Sequence, residues 1–453
     1  MSMSLLGPPS SLRGLSRLTI DAIAEMTQLV ETMHHTILST PGILDTASSG
    51  PTKGITGLVY RSIRGVNTLV GSTLDVLLAQ LDLLPSERSV SFAGEAARAA
   101  LNGALGDYLE DSNNPLAISM CFRRDANALR LETLSLATTI AQPTDKLLIL
   151  VHGLGMNDRQ WTRTDAPQGP DQDAITEAPR DPWSLLAREL GYTLVHLHYN
   201  SGRHISRNGR EFAKLLEILV RQWPLPVREL AIIGHSMGGL VSRSACHYGA
   251  MAGHHWLQHL RSLVFLGTPH HGAPLERASN WVDVILGASP YTAPFARLGK
   301  IRSAGITDLR YGNLLDEDWA GRDRFERTGD PRSSLPLPAD AQCYAMAATT
   351  QKTMAVLGAE SCSDRARSER ARSERARSER AYLDRTVVDR LPGDGLVPVR
   401  SALGYHDEPA LRLAIPECRQ WIGYGINHLG LLTHPAVRQQ IRLQLAPEAM
   451  PSS

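Results

Sequence analysis

The stretch GHSMGG at residues 234–239 decides the fold, because it joins the apolar run 230–233 to the small-residue segment 240–248. This order predicts a strand, a very tight turn and a helix, with Ser236 at the apex of the turn. Such a turn forces its serine into strained dihedral angles and brings the backbone so close that flanking side chains would clash. Ser236 is therefore the candidate nucleophile, although this pattern alone also occurs in plain turns.

A serine hydroxyl is a poor nucleophile at neutral pH, so catalysis needs a base, an orienting acid and donors for an oxyanion. Upstream, the apolar run 146–151 predicts a buried parallel strand, which ends in the loop HGLG at 152–155. We expect the backbone N–H groups of Leu154 and Met237 to be the two oxyanion donors, because one lies in this loop and the other follows the nucleophile. The alternative is an ordinary strand-to-helix turn.

The acid should lie on a loop after a late strand, between the serine and the base. In the segment 391–398, Asp394 stands between two glycines, so its carboxylate can point into a cleft without packing constraints. An Asp-Gly pair is also a common turn with no chemistry. Asp308 is the rival acid and Asp389 a weaker one, since neither is so well placed just before the final strand and histidine.

The base is expected near the C-terminus, where the segment 426–435 follows the last apolar run. His428 is the chosen residue. Either Thr433 or His434 can cap the final amphipathic helix, and Pro435 suits the first turn of that helix. His434 is therefore assigned to the entry of the helix and not to catalysis.

Together these motifs resemble the lipase-like α/β-hydrolases and, within them, bacterial proteins similar to the GPI inositol-deacylase group. The candidates Ser236, Asp394 and His428 follow one another in the order of that fold. The resemblance covers residues 116–446. The matching segments are 152–155, 234–239, 267–272, 393–398 and 427–430.

The resemblance implies a serine hydrolase that cleaves carboxylic esters, often of lipids, through an acyl-enzyme and without any cofactor. An acyltransferase or polyester hydrolase with the same triad is one alternative, and a non-catalytic lipid-binding or scaffold protein is another. Because ligands bind at the carboxyl edge of such sheets, we expect a substrate pocket there. The residues predicted to line it are His152, Gly153, His235 and His270. The pair of histidines at 270–271 lacks the carboxylate or cysteine spacing of a metal site.

The predicted fold class is α/β, a mostly parallel sheet covered by helices on both faces, because strands alternate with helical segments. Strands are predicted at 192–199 and 342–348, and a helix at 208–223. The segments 116–122 and 129–134 are interpreted as an antiparallel hairpin that begins the sheet.

Three regions complete the predicted organisation: an N-terminal helical region at 1–115, a hydrolase domain at 116–446 and a tail at 447–453. Within the domain, residues 273–335 are predicted to form a cap, with packed core as the alternative. Residues 360–385 contain Ala-Arg-Ser-Glu-Arg three times in tandem. This repeat predicts a charged surface spacer rather than a phosphate-binding patch.

Helical periodicity dominates the N-terminal region, with apolar residues recurring at spacings of three and four in 15–38 and 55–84. A third, alanine-rich helix is predicted at 91–109. A bundle packed on the hydrolase core is the favoured interpretation. The alternative is peripheral membrane contact through an apolar face flanked by Arg61 and Arg64.

The composition is that of an ordinary globular protein, with 42% hydrophobic residues and a formal net charge of +1 in 453 residues. This balance gives no reason to expect nucleic acid as a partner. The five cysteines are scattered, which favours reduced thiols over a disulfide framework. The start of the chain lacks a signal-peptide pattern, and no apolar run is long enough to span a membrane. A cytoplasmic location, with membrane association left open, is the resulting expectation.

Overall fold

The computed structural model describes Gly14, Arg17 and residues 92–162, 181–273, 303–322, 330, 332–352 and 391–446. Several predicted features lie outside the described residues. They are the N-terminal helices at 15–38 and 55–84, the charged repeat, the C-terminal tail and much of the predicted cap.

Two compact units divide the chain. The first comprises Met1–Arg98 and Tyr108–Ala117, and the second comprises Ala99–Asp107 and Ile118–Ser453. The described part of the first unit consists mainly of the two ends of one helix and the turn that follows it. The second unit contains the sheet. The predicted boundary between 115 and 116 stays a prediction.

Eight strands of the second unit form one sheet in the order β2-β1-β4-β3-β5-β6-β7-β8. The strands are β1 (Cys121–Arg124), β2 (Asn127–Ala128), β3 (Lys146–Val151), β4 (Thr193–His198), β5 (Glu229–His235), β6 (Leu260–Leu266), β7 (Gln342–Thr349) and β8 (Gln420–Tyr424). Strand β1 pairs antiparallel with β2 and with β4, whereas every pairing from β4 through β8 is parallel. This arrangement is the α/β-hydrolase fold.

The described helices lie between and beyond these strands. They are α1 (Phe92–Asp111), α2 (Thr133–Thr139), α3 (Pro182–Glu189), α4 (Ile205–Gln222), α5 (Met237–Met251), α6 (Ala304–Asp308), α7 (Val399–Ala402), α8 (Gly430–Thr433) and α9 (Pro435–Leu445). Short 3₁₀ turns occur at Asp158–Thr162, His255–His259, Asp316–Asp318 and Glu417–Arg419. Among these helices, none combines the length and hydropathy of a transmembrane segment.

Both faces of the sheet are buried, which explains why β3 is apolar from Leu147 to Val151. Successive side chains of a strand point to opposite faces. Leu147, Ile149 and Val151 accordingly join one hydrophobic cluster with residues of α4 and α5, and Leu148 and Leu150 join a second cluster with residues of α3 and α9. The predicted parallel sheet with helices on both faces is thus confirmed.

The predicted first hairpin is displaced along the chain. Strands β1 and β2 are joined by Asp125 and Ala126, whose φ angles of 50° and 62° are those of a two-residue type I′ turn. The segment 129–134 is not a strand, because α2 begins at Thr133. Leu129 is buried in the core but Leu134 is 78% exposed, so the alternation seen in the sequence does not correspond to a buried and an exposed face.

Residues 303–318 of the predicted cap pack within the second unit. The Ser303 hydroxyl donates to the Gly103 carbonyl at 2.6 Å, and the Gly305 N–H donates to the Gly202 carbonyl at 3.0 Å. Ile306 and Leu309 belong to the main hydrophobic cluster. Residues 274–302 and 323–329, which are also part of the predicted cap, lie outside the described ranges.

Candidate active site

Ser236 occupies the apex of a sharp turn between β5 and α5. Its dihedral angles, φ 55° and ψ −124°, lie in a region that side-chain-bearing residues rarely adopt. Its N–H donates to the Leu266 carbonyl at 2.8 Å, so the turn is anchored to the end of β6. The side chain is 1% exposed, and its Oγ accepts or donates no hydrogen bond among the described residues.

The glycines beside Ser236 are required by close packing. A Cβ on Gly238 would lie 2.3 Å from the Val151 carbonyl oxygen, at the end of β3. A Cβ on Gly234 would lie 2.5 Å from the backbone of Gly239. These distances are far shorter than any carbon contact, so the turn closes only where both positions lack a side chain.

His428 and Asp394 form a buried pair. His428 Nδ1 lies 2.7 Å from Asp394 Oδ2, and both side chains are at most 4% exposed. The other carboxylate oxygen, Oδ1, accepts the backbone N–H groups of Leu396 and Val397 at 3.0 and 2.8 Å. One oxygen therefore holds the carboxylate in its own loop, which leaves the second oxygen to orient the imidazole.

Both loops of this pair are tied to the carboxyl end of β7. The Thr350 N–H donates to the Gly393 carbonyl at 3.3 Å, and the Ile426 N–H donates to the Thr349 carbonyl at 3.1 Å. A Cβ placed on Gly267, directly after β6, would lie 3.1 Å from Asp394 Oδ2 and 3.3 Å from His428 Cε1. Because Leu266 holds the Ser236 N–H, the serine, histidine and aspartate converge at one edge of the sheet.

The predicted oxyanion loop lies against the serine. A Cβ on Gly153 would lie 3.1 Å from Ser236 Cβ. Two residues that follow β4 hold the two ends of this loop. The Tyr199 hydroxyl donates to the His152 carbonyl at 2.8 Å, and Ser201 Oγ accepts the Gly155 N–H at 2.9 Å.

The His152 ring sets the orientation of the peptide before Leu154. His152 Nδ1 lies 2.9 Å from the Gly153 carbonyl oxygen. Burial lowers the pKa of His152 to about 4, so the ring is neutral and Nδ1 is its protonated nitrogen. In a trans peptide the C=O and N–H point to opposite sides. The Leu154 N–H is therefore directed away from the ring of His152.

The second predicted donor, the Met237 N–H, belongs to the first residue of α5. The first N–H groups of a helix have no acceptor within it, and they carry the positive end of the helix dipole. This is the chemistry that a developing oxyanion requires, so the position of Met237 is compatible with its predicted role.

The two remaining predicted pocket histidines lie in different surroundings. His235 is fully buried, and its Nε2 lies 3.0 Å from the His428 carbonyl oxygen. His270 is also fully buried, with its ring edge-on to Phe265 at 4.6 Å and its Nδ1 3.3 Å from Arg243. Burial, and then the Arg243 charge, hold the pKa of His270 well below its ordinary value. Its predicted role in a substrate pocket stays a prediction.

The neighbouring His271 lines a cavity of about 530 Å³, whose other walls include Arg310, Tyr311 and Tyr405. No cluster of three or more His, Cys, Asp or Glu side chains is arranged to hold a metal ion within the described ranges.

The rival residues are engaged elsewhere in the fold. Asp308 contacts His204 Nδ1 at 3.1 Å and accepts the Ile205 N–H at 2.8 Å, at the start of α4. His434 caps α9, because its Nδ1 accepts the Ala436 N–H at 3.2 Å. The third rival, Asp389, lies outside the described residues.

Tyr199 and Ser201 are the supporting residues that the sequence analysis missed. Both follow β4, which is the neighbour of β3 in the sheet. Their position just past a buried parallel strand was the available signal, because the carboxyl ends of parallel strands share one edge.

Residues 142–328 match the family model described as "PGAP1-like alpha/beta domain". This segment contains the oxyanion loop and the serine turn, and it excludes Asp394 and His428. Together with the sheet order, the match supports a relationship to the lipase-like α/β-hydrolase superfamily. No curated protein matches the chain in sequence.

Among solved structures, the chain is similar to the mature form of the Bacillus licheniformis lipase BlEst2, with 14% identity and a TM-score of 0.36 over 68% of this chain and 94% of the lipase. The propeptide form of that lipase gives 14% identity and a TM-score of 0.37 over 69% of this chain and 53% of the other. A lipase-esterase related protein from Clostridium acetobutylicum ATCC 824 gives 12% identity and a TM-score of 0.29 over 66% of this chain and 94% of that protein. At these scores the fold assignment rests on the sheet order.

Proposed function

We propose that this chain is a serine hydrolase that cleaves carboxylic esters through an acyl-enzyme. The observation that carries the proposal is the buried contact of 2.7 Å between His428 Nδ1 and Asp394 Oδ2, at the sheet edge where Ser236 is held in a strained turn. A carboxylate on Nδ1 leaves Nε2 as the basic nitrogen, which is the arrangement that a serine nucleophile needs.

In the proposed reaction, Ser236 Oγ attacks the ester carbonyl while its proton passes to Nε2 of His428. The carbonyl oxygen becomes an oxyanion and accepts the N–H groups of Leu154 and Met237. The imidazolium then gives its proton to the departing alkoxide, which leaves an ester between Ser236 and the acyl group. Water repeats the cycle, and Asp394 stays ionised throughout.

We infer further that the acyl group is lipid-like. Apolar side chains of the segment after β3 lie near the serine turn: Met156 Sδ would lie 3.2 Å from a Cβ on Gly153, and Trp161 packs edge-on to His235 at 6.3 Å. Leu429, which follows the proposed base, is 49% exposed and offers an apolar contact at the surface. The resemblance of the motifs to the GPI inositol-deacylase group supports the same class of substrate.

The test is hydrolysis of p-nitrophenyl esters from acetate to palmitate by the full chain, with Ser236→Ala in parallel. We expect turnover by the native protein and a loss of kcat on the order of 10⁶-fold in the variant. Ser242→Ala is the matched control, since its hydroxyl donates to the Gly238 carbonyl at 2.7 Å within α5 and it should keep full activity.

A fluorophosphonate probe gives an independent readout, because it bonds covalently to an activated serine. The labelled peptide should contain Ser236 in the native protein and in the Ser242 variant. The proposal is wrong if the native chain hydrolyses no ester of the series, even with detergent or lipid present, or if Ser236→Ala keeps native turnover.

A further inference from the structure

The ring of His235 lies between the oxyanion loop and the proposed base. It is fully buried, and its centroid is 4.7 Å from that of the His428 ring. On the loop side, a Cβ on Gly153 would lie 3.2 Å from its Nδ1. Trp161 packs edge-on to it with a centroid distance of 6.3 Å. His235 thus contacts several parts of the site while directly preceding Ser236 in the chain.

The contacts define the protonation state of this ring. Nε2 lies 3.0 Å from the His428 carbonyl oxygen, and a carbonyl only accepts hydrogen bonds, so Nε2 carries the proton. Nδ1 is buried and makes no hydrogen bond within the described part of the chain. Burial, and then the neighbouring His428, hold the pKa of His235 well below its ordinary value. The ring is therefore the neutral Nε2–H tautomer.

This bond completes the restraint of the backbone of the proposed base. The His428 N–H donates to the Asp394 carbonyl at 3.0 Å, and the His428 carbonyl accepts from His235. Asp394 also holds the side chain through Nδ1. The contacts from Asp394 hold the N–H and the ring of residue 428, and His235 holds its carbonyl.

We propose that His235 is a positioning residue, whose neutral Nε2–H holds the His428 carbonyl and so fixes the imidazole of His428 relative to the Ser236 hydroxyl. This inference rests on the proposed ester hydrolysis. His235 takes no part in proton transfer in this scheme. Its neutrality matters, because a positive ring at this distance would oppose formation of the His428 imidazolium.

Two amide substitutions separate positioning from simple packing. The side-chain amide nitrogen of Gln reaches the position of the histidine Nε2, whereas that of Asn reaches only the position of Nδ1. His235→Gln therefore keeps a donor for the His428 carbonyl. His235→Asn keeps a polar side chain, but its nitrogen is too short to donate to that carbonyl. His235→Leu removes the donor altogether.

We expect kcat for p-nitrophenyl butyrate to fall on the order of 100-fold in the Asn and Leu variants with KM little changed, because a displacement of about 1 Å at a reacting group has that effect. The Gln variant should recover most of the loss. Melting temperatures by circular dichroism accompany each assay. Equal kcat values for the Gln and Asn variants, or native kcat in the Leu variant, would overturn the proposal.

The native full chain provides a test that does not depend on how the variants fold. In protein with ¹⁵N-labelled histidine, NMR should show His235 as the Nε2–H tautomer with no titration between pH 5 and 9. Titration in this range, or the Nδ1–H tautomer, would overturn the proposal. Failure of the underlying function is distinguishable, because the native chain would then hydrolyse no ester and would not be labelled at Ser236 by a fluorophosphonate.

Discussion

The pairs His428–Asp394 and His204–Asp308 each join a histidine ring to a buried carboxylate, and the first of them lies against the turn that carries Ser236. In the pair His428–Asp394, one carboxylate oxygen contacts Nδ1 and the other accepts two backbone N–H groups of its own loop. In the pair His204–Asp308, both oxygens lie 3.1 Å from Nδ1, and the ring stacks on Trp319 at 3.7 Å.

The difference shows that a buried histidine–aspartate contact does not by itself define a catalytic site. Asp308 accepts the first N–H of α4 and contacts Asn313, so this pair joins α4 to the segment 303–318. Burial raises the pKa of Asp308 above its ordinary value. The pair at Asp394 differs because both of its residues lie against Gly267, which directly follows the residue whose carbonyl accepts the Ser236 N–H. The predictions below test whether one pair serves chemistry and the other stability.

Among substitutions in the two pairs, the largest effect is expected from Asp394→Asn. Its side-chain oxygen can keep the bonds from the Leu396 and Val397 N–H groups, which turns its NH₂ toward His428. The NH₂ donates to Nδ1, so the proton of the imidazole is forced onto Nε2, where it can no longer accept the Ser236 proton. We expect kcat to fall on the order of 10⁴-fold with the fold intact, as such a tautomer change does in serine hydrolases.

The measurement is steady-state hydrolysis together with the melting temperature. Asp308→Asn is the matched control, since it makes the same substitution in the other pair and should leave kcat unchanged. Comparable losses of kcat in both variants would remove the distinction between the two pairs.

A second prediction concerns pH and the neutral His152 ring. In the unfolded chain this histidine binds a proton near pH 6.5, whereas in the folded chain burial lowers its pKa to about 4. Between these values the unfolded state binds more protons, so stability falls as the pH falls. The contribution is about 1.4 kcal/mol per pH unit, or about 3 kcal/mol over the whole window.

His152→Asn removes the titration but keeps a donor near the position of Nδ1, facing the Gly153 carbonyl. Urea unfolding from pH 7 to pH 4 should therefore show a shallower decline of the free energy of unfolding in this variant than in the native chain. An identical decline in both proteins would mean that His152 is not held neutral by the fold.

The third prediction is the stability effect of Asp308→Asn. Its NH₂ replaces one of the two carboxylate oxygens, which together accept from Ile205, His204 and Asn313. At least one hydrogen bond to a buried carboxylate oxygen is lost, which costs about 2 kcal/mol. Urea unfolding should show this loss while kcat stays at the native value. Native stability in this variant would contradict the structural role of the pair.

The sequence predicted the elements that depend on local pattern. The strand at 146–151 coincides with β3, and the turn at 234–239 falls where β5 meets α5, because continuous apolar runs and glycine crowding leave few alternatives. The hairpin predicted within 116–134 exists but its bounds were wrong, since alternation in a short segment does not distinguish a strand from a coil that leads into a helix.

The candidate site was predictable in its residues but not in its supporting contacts. Chain order indicated Asp394 over Asp308, yet what Asp308 does is visible only once His204, 104 positions away in the chain, is placed beside it. The hydrogen bonds from Tyr199 to the oxyanion loop, and from His235 to His428, likewise join residues 47 and 193 positions apart. Such pairings depend on strand order in the sheet, which no local pattern specifies.

The smallest predicted effect concerns the tyrosines at the two ends of strand β4. Tyr199, after the strand, donates to the His152 carbonyl, whereas Tyr192, before it, donates to Glu229 at the opposite edge of the sheet. Phenylalanine at either position removes one buried hydrogen bond and should lower stability by about 1 kcal/mol. Only Tyr199→Phe also frees the oxyanion loop, so it should lower kcat about tenfold, equivalent to about 1.4 kcal/mol of transition-state stabilisation. Equal kcat in the two variants would show that the loop is held by its other contacts, such as the Gly155 N–H to Ser201, and that the tyrosine only supports the fold.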